Sequence, residues 1–579
     1  MPVLNTRWKL KRSDVSATVI NRLSNELSIS PITARILTVR GYEDIDEAQE
    51  FLNPSYKHSY DPFLMRDLEE AVQRLKETFQ ASEPILVHGD YDVDGITSTA
   101  LIFKAFSSAY PVETYLPDRF EEGYGMSKNA IDFAKEKKIP LILTVDCGVS
   151  ALEEAKYAEE QGIDLIITDH HQVKESDLQT LQKNSAVHAI VDIHRSDCFY
   201  PFKHLTGAGI AFKLVQALIN KGALDVPLRD LIELCAIGTV ADVAEITGEN
   251  RFLVKKGLEL LARTENPGLR ALKIVCGLEE GKQLHPSDIG FKVGPRLNAS
   301  GRLGSANDAL QLLLTQDPGE AQQLALKLDE INQERQALQD DIYQQAINKI
   351  EKGKIPHLSP KAPFLVVDGK DWHEGVVGIV ASKVQERYYR PTVVISIDEE
   401  AARGSGRSIT DFNLLEALLS CEDLFDELGG HPAAAGFSIA PENIPKLRER
   451  INKYAKQALS KEDLVPQISV DAELRNLEAI TERLVNEIDA MTPFGLGNPR
   501  PQLIIKNLVL RDWRFVGRTK EHVKMVLGDD RGKQINAIAF RAAEKMQTIH
   551  SNRIDVVCTP SINEWQGRRE VQLQIKDFR

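Results

Sequence analysis

The segment from about residue 84 to 193 constrains this chain more than any other, because short β-rich apolar runs alternate there with amphipathic stretches. PILVH at 84–88, LILTV at 141–145, DLIIT at 164–168 and HAIVD at 188–192 read as strands, with ITSTALIFKAF and SALEEAKYAEEQG as helices between them. Strands separated by helices make βαβ units, and so a parallel sheet covered on both faces. Ligands of such sheets bind beyond the carboxyl ends of the strands. The polar clusters that follow three of these strands should therefore converge on one crevice.

The first cluster, His88-Gly-Asp90-Tyr-Asp92-Val-Asp94-Gly95, stands where a strand turns into a helix. Three carboxylates so close repel one another unless a cation or proton neutralises them, which invites a metal. Asp146-Cys-Gly148 follows the second strand, Asp169-His170-His171 the third, and Asp242 lies in CAIGTVADVAEI. Oxygen and imidazole ligands without thiolates suit Mn²⁺ or Mg²⁺, with the histidines favouring Mn²⁺ and zinc left open. Taken singly each cluster has a plainer reading: Asp146 as a helix N-cap, the histidines as a hydrogen-bonded surface pair, Asp242 as a satisfied buried acid. Four of them behind successive elements of one sheet argue for a shared purpose.

At 579 residues the chain exceeds one core. Residues 320–352 carry a helical pattern without Gly or Pro, followed by the linker KGKIPHLSPKAP and a second α/β unit beginning with FLVVDG, VVGIVASKVQERY and PTVVISI. After LVPQ the pattern becomes strands and turns, with hairpin signals at Asp529–Gly532 and Gln566–Gly567, which predict a small β-barrel. Residues 501–579 carry 15 Lys and Arg against 9 Asp and Glu, a net +6 in a chain of −14, which leaves −20 on the remainder. Trp513, Phe515, Phe540 and Trp565 are interleaved with those cations, a pattern that can stack bases while holding phosphates, although barrels also use aromatics as core. Trp513 and Trp565 are the candidates for exposure.

No run of about 18 apolar residues appears, and MPVLNTRWKLKRSD lacks a signal-peptide core, so the expected location is the cytoplasm, away from any membrane. The cysteines, Cys147, Cys198, Cys235, Cys276, Cys421 and Cys558, form no C-x-x-C pair, which argues against a zinc ribbon or a disulfide framework.

HGDYDVDG, TVDCG, TDHH and TVADVAE resemble the four ordered motifs of the DHH phosphoesterases. The resemblance implies two divalent cations, Mn²⁺ or Mg²⁺: one on His88, Asp92 and Asp146, the other on Asp94, Asp146, His170 and Asp242, with Asp146 bridging. It further implies that His171 faces the substrate phosphate, that Asp169 orients the histidines, and that Asp90 is a supporting carboxylate. Two ions so held can activate a water and neutralise the attacking and leaving oxygens of phosphodiester hydrolysis. PRLNASGRLG at 295–304 reads as a turn-rich loop offering Arg296, Asn298 and Arg302 to phosphate, or as a structural turn only. GSGRS at 404–408 and GGHPAAAGFS at 429–438 resemble the DHHA1 domain, with Ser405, Arg407 and His431 as its polar groups; by themselves they could be Gly-rich tight turns.

PFGLGNPRP at 493–501 resembles the segment leading into the OB-like domain of RecJ-type exonucleases, which extends the resemblance over nearly the whole chain. The expected fold is α/β: an N-terminal helical segment (1–80), a parallel-sheet DHH catalytic domain (81–310), a long connecting helix and linker (311–357), a second α/β DHHA1 domain (358–462) and a C-terminal OB-like β-barrel (463–579). The implied function is 5′-to-3′ hydrolysis of single-stranded DNA to 5′-mononucleotides in recombination and repair, with the strand threaded through a cleft between the first two domains. Single-strand-binding protein or a helicase is the implied partner, and the chain is expected to be a monomer. Ser405 and Arg407, joined by Arg119, form the expected pocket for a terminal phosphate; the alternative for Arg407 is an ion pair with Asp411. Two other functions compete: a short-substrate phosphodiesterase for nanoRNA or cyclic dinucleotides, and a non-catalytic single-strand-binding scaffold.

Overall fold

The structure, a computed structural model, describes residues 6–398, 401–565 and 567–579, with Trp565 described by its backbone alone. The chain divides into two compact units, one of residues 49–333 and 491–500, the other of residues 1–48, 334–490 and 501–579. The residues expected as one N-terminal segment, 1–80, are thus divided between the two units.

In the first unit the strands Val112–Tyr115, Ile85–Gly89, Leu141–Val145, Asp164–Asp169 and Val187–Asp192 lie side by side in that order, all parallel. The edge strand Val112–Tyr115, too short and polar to stand out, is an addition to the four read from sequence. Leu141 to Val145 are fully buried, as expected of strands covered on both faces. Leu143 and Ile166 point into the larger core with Ile96, Leu101 and Leu214, whereas Ile142 and Ile167 meet Ile131, Ala155 and Leu178 on the other face. Period-2 alternation thus places helices on both sides of the sheet. The helices Val93–Phe106, Gly207–Asn220 and Ile232–Ala241 pack on one another behind the strand ends.

PRLNASGRLG corrects the loop expectation: residues Gly294–Leu303 are helix, entered through a π-helical turn, Ile289–Val293. Its Gly, Asn and Ser suggest a turn, but Leu297 and Ala299 are fully buried. Tertiary burial outweighs local propensity here.

The second unit holds the mixed sheet Phe425–Gly430, Ala434–Ile439, Ala402–Arg407, Thr392–Ile397, Leu365–Lys370, in which only the last two are parallel. GSGRS, open to a reading as a Gly-rich turn, lies mostly on the strand Ala402–Arg407; GGHPAAAGFS is the hairpin that presents His431 in its turn. The helix Pro318–Lys352 spans 35 residues. Farther on, Leu503–Val516, His522–Gly528, Gln534–Ala539, Arg568–Phe578 and Arg553–Trp565 close into a five-stranded barrel. The turn expected at Asp529–Gly532 joins two of its strands. In that at Gln566–Gly567, Gln566 lies outside the described residues. The strand Arg7–Leu10 pairs in parallel with Gln467–Val470, and Lys11 and Arg40 both engage the buried Asp471. No described helix is long and apolar enough to cross a membrane.

Candidate metal centre

Strand ends and helix starts bring the sequence clusters together in the first unit. His88 belongs to the strand Ile85–Gly89, and Asp92 caps the following helix, its Oδ1 accepting the N–H groups of Asp94 (2.9 Å) and Gly95 (3.1 Å). Asp94 is fixed from the side, accepting from the amides of Gly207 (2.6 Å) and Ala208 (3.1 Å). Asp146 follows its strand with φ +64°, a left-handed conformation that a non-glycine residue holds at a cost and that aims its carboxylate into the crevice. The space beside it is built by glycine: a Cβ on Gly207 would lie 2.4 Å from Asp146 Cβ and 2.6 Å from its Oδ1.

His170 Nε2 stands 3.0 Å from Asp146 Oδ1, 3.8 Å from Asp94 Oδ2 and 4.0 Å from Asp242 Oδ2. The 3.0 Å approach lacks hydrogen-bond geometry, so both atoms, like the deeply buried His88 Nε2 and Asp90 Oδ2, have no hydrogen-bond partner. Buried polar atoms without partners are rare. Asp146 and His170 are among them, and Asp94, His170 and Asp242 form one group, Asp146, His170 and His171 another, whose donor atoms could hold an ion. His88 and Asp92 fall in neither group. Asp92 gives one oxygen to its helix cap.

Protonation follows from the same burial. Desolvation lowers His88 to about 4 and also lowers His170, so both imidazoles are neutral, the form that binds a metal. Burial and then mutual carboxylate repulsion raise Asp90 to about 7, and push Asp94, Asp242 and above all Asp146 upward. Carboxylates in this state gain most from a cation. An all-oxygen and imidazole donor set with orphaned, buried donor atoms fits Mn²⁺ or Mg²⁺.

His171 plays a different part. Asp169, which accepts from the amides of His170 (2.7 Å), His171 (3.1 Å) and Val149 (3.1 Å), also meets His171 Nδ1 at 2.7 Å. Burial would raise Asp169, but the His171 hydrogen bond and charge outweigh it and hold the carboxylate low. Burial would likewise lower His171, yet its bond to Asp169 lifts it to about 9. The short contact with Asp169 favours the protonated imidazole.

The remaining candidates separate. Arg119 lies 5.1 Å over the Tyr91 ring, beside a cavity of about 340 Å³ also lined by Tyr115, Phe133 and Asn307. Arg302 is half-buried within electrostatic reach of the Tyr91 phenol. Arg296 instead donates to Asp329 (2.8 Å) and the Lys292 carbonyl (2.9 Å), which commits it to holding its own helix. Asn298 is half-buried on that helix. In the second unit Arg407 donates to Ser405 Oγ (3.2 Å) and the Gly406 carbonyl (2.7 Å), not to Asp411, and among the described residues no carboxylate pairs with it. His431 is exposed, and so is Trp513, 41% accessible and edge-on to Phe515 at 5.2 Å. The side chain of Trp565 lies outside the described residues.

Two groups were not singled out by sequence. Asp192, fully buried at the end of its strand and in register with Asp169, has Oδ2 without a partner. Tyr124 reaches His171 from a loop. The strand-end position in HAIVD was the available signal for Asp192; for Tyr124 there was none.

Known proteins match this arrangement. The profile described as DHH family, N-terminal domain covers residues 84–239, that of the DHHA1 domain 361–457 and that of the RecJ OB domain 470–577. The chain is 40% identical over 575 residues to the single-stranded-DNA-specific exonuclease RecJ of Bacillus subtilis (strain 168), across 99% of this chain and 70% of that protein. To the protein of that name from Escherichia coli (strain K12) it is 32% identical, across 98% and 99%. Among solved structures, RecJ from Thermus thermophilus in complex with Mn²⁺ superposes with a TM-score of 0.83 at 28% identity, over 99% of this chain and 79% of that one.

Proposed function

The chain belongs to the RecJ family of single-stranded-DNA-specific exonucleases, and from that premise we propose that it shortens strands from the 5′ end, releasing 5′-mononucleotides in recombination and repair. It is a phosphodiester hydrolase whose cofactor is a divalent cation, Mn²⁺ or Mg²⁺. The observation that carries the reading is the clustering of Asp94, Asp146, His170 and Asp242, with Asp146 Oδ1 and His170 Nε2 buried and unpartnered.

In this reading His88, Asp92 and Asp146 hold one ion, and Asp94, Asp146, His170 and Asp242 the other. When bound, the ions supply neutralisation of phosphate charge and activation of water. The chain supplies orientation and further charge. His171, oriented by Asp169, donates an N–H to a non-bridging phosphate oxygen. Arg119 and Arg302 meet neighbouring phosphates beside Tyr91. Arg407 with Ser405 takes a terminal phosphate, whose greater charge distinguishes a strand end from an internal diester. On the barrel, exposed Trp513 among Arg511, Arg514 and Arg518 offers a stacking surface for bases. The protein acts in the cytoplasm as a monomer, on strands opened by a helicase or covered by single-strand-binding protein.

The test is Asp146→Ala. Hydrolysis of labelled 5′-phosphorylated single strands with Mn²⁺ should vanish while single-strand binding stays measurable; cleavage at the wild-type rate would overturn the metal assignment.

A further inference from the structure

The loop between the strand Val112–Tyr115 and the helix Lys128–Glu136 carries a tyrosine that the reading above leaves without a task. Gly123 (φ +82°) and Gly125 (φ +87°) flank Tyr124, and their left-handed backbone turns the chain sharply on either side of it. The loop is pinned at several points. Glu122 accepts from the Asp118 amide (2.8 Å), the Tyr115 hydroxyl (2.9 Å) and the Ser127 hydroxyl, while the Gly125 amide donates to Asp90 Oδ1 (3.3 Å).

So held, Tyr124 is 51% exposed, yet its hydroxyl faces inward. It lies 3.0 Å from His171 Nε2, 3.1 Å from Nδ1 and 3.4 Å from the Asp146 carbonyl oxygen. Its ring stands edge-to-face on His171 at 5.5 Å and on Tyr91 at 6.4 Å. Nδ1 is committed to Asp169, and the hydroxyl, nearly equidistant from both nitrogens, packs against the ring and leaves the in-plane direction of Nε2 open. A surface tyrosine usually does the reverse, burying its ring and wetting its hydroxyl. Burial, and then the carboxylates of Asp169, Asp146 and Asp90, push the pKa of this phenol upward, and its proton has the Asp146 carbonyl as acceptor.

We propose that Tyr124 is a positioning residue for catalysis, its hydroxyl fixing the imidazole of His171 so that Nε2 is presented to the scissile phosphodiester. Asp169 alone secures the ring through one nitrogen, which leaves rotation about that contact open. The hydroxyl against the imidazole and the edge-on ring close it. The inference rests on the catalytic role of His171, and the test separates the two.

His171→Ala reports on His171 itself: wild-type activity there would remove the premise. Tyr124→Phe keeps the ring and deletes the hydroxyl. It should lower kcat about 10–100-fold, the usual cost of losing a group that orients a catalytic side chain, with KM and Mn²⁺ affinity within about twofold of wild type, by the same comparison. Circular dichroism melting confirms that each variant is folded. The decisive reading is the double variant. If Tyr124 acts through His171, Tyr124→Phe costs nothing further in the His171→Ala background. Full additivity, or a Tyr124→Phe enzyme with unchanged kcat, overturns the proposal.

Discussion

Replacing Gly207 with alanine puts one methyl group into a buried helix start, and the structure says where its carbon must go. It would lie 2.4 Å from Asp146 Cβ, 2.6 Å from Oδ1 and 2.7 Å from Cγ, whereas ordinary contact begins at 3.4 Å. Asp146 or the helix must therefore move by about 1 Å, and a misplacement of that size at a reacting centre costs roughly 100-fold in rate, equivalent to about 2.7 kcal/mol. Stability should respond much less. Overpacking costs about 1–3 kcal/mol, while alanine returns up to about 1 kcal/mol of helix propensity. The net penalty of roughly 0–2 kcal/mol lowers the melting temperature by no more than about 8 °C. The assay is Mn²⁺-dependent release of mononucleotides from labelled single strands, beside a melting curve and a Mn²⁺ titration. Gly209→Ala, two residues on, is the control: its Cβ would meet only Leu205 side-chain carbons, at 3.1 Å or more, which can repack. Wild-type turnover and Mn²⁺ affinity in Gly207→Ala would refute the claim that Asp146 must occupy its present position.

Three further outcomes are expected. Arg407→Ala should abolish most of the preference for a 5′-phosphate over a 5′-hydroxyl, measured as the ratio of initial rates, while Mn²⁺ affinity stays unchanged; a preserved ratio removes Arg407 from end recognition. Trp513→Ala should weaken binding of single strands by about 1–3 kcal/mol with the salt dependence intact, because stacking carries no counterion release; fluorescence anisotropy at several salt concentrations checks it. Burial, then the charge of Asp169, pushes Asp192 up to about 8, whereas an unfolded aspartate titrates near 3.9. Between those values the folded state holds the extra proton, so its stability falls as pH rises, by up to about 1.4 kcal/mol per unit, and the loss is complete above about pH 8. In metal-free buffer the advantage of Asp192→Asn over wild type should grow from pH 5 to 8 and then level off; a constant gap would contradict it.

Much of the site is legible in the sequence because it obeys one-dimensional rules. Apolar runs ending in Asp or His mark strands of a covered parallel sheet, and the sheet gathers their ends, so convergence of the clusters is legible from spacing, whereas the set Asp94, Asp146, His170 and Asp242 follows from the family resemblance. What escapes depends on contacts that spacing does not encode. Gly207 is essential for what it lacks, and nothing in GAGIAF names Asp146 as its neighbour. Asp192 passes for a strand residue because its register with Asp169 is a property of the sheet. PRLNASGRLG reads as a turn because its small polar residues favour turns in isolation, whereas burial of Leu297 and Ala299 makes it helical. Arg296, on the same segment, is a reasonable phosphate ligand until Asp329, 33 residues later, takes its guanidinium.

The pairing of Arg7–Leu10 with Gln467–Val470 imposes a timetable on biosynthesis. Arg7 is opposite Gln467, so one strand is synthesised long before its partner. At about 5–20 residues per second the wait is roughly 25–90 s. The helices Ala17–Glu26 and Pro31–Val39 wait with it, since Ser30 and Thr33 hydrogen-bond to Glu487. Leu23, Ile36 and Leu37, on those helices, are fully buried in the finished protein. The metal-binding unit is complete apart from residues 491–500 long before then, so its sheet can form while residues 6–48 still await partners that are synthesised only between residues 467 and 487.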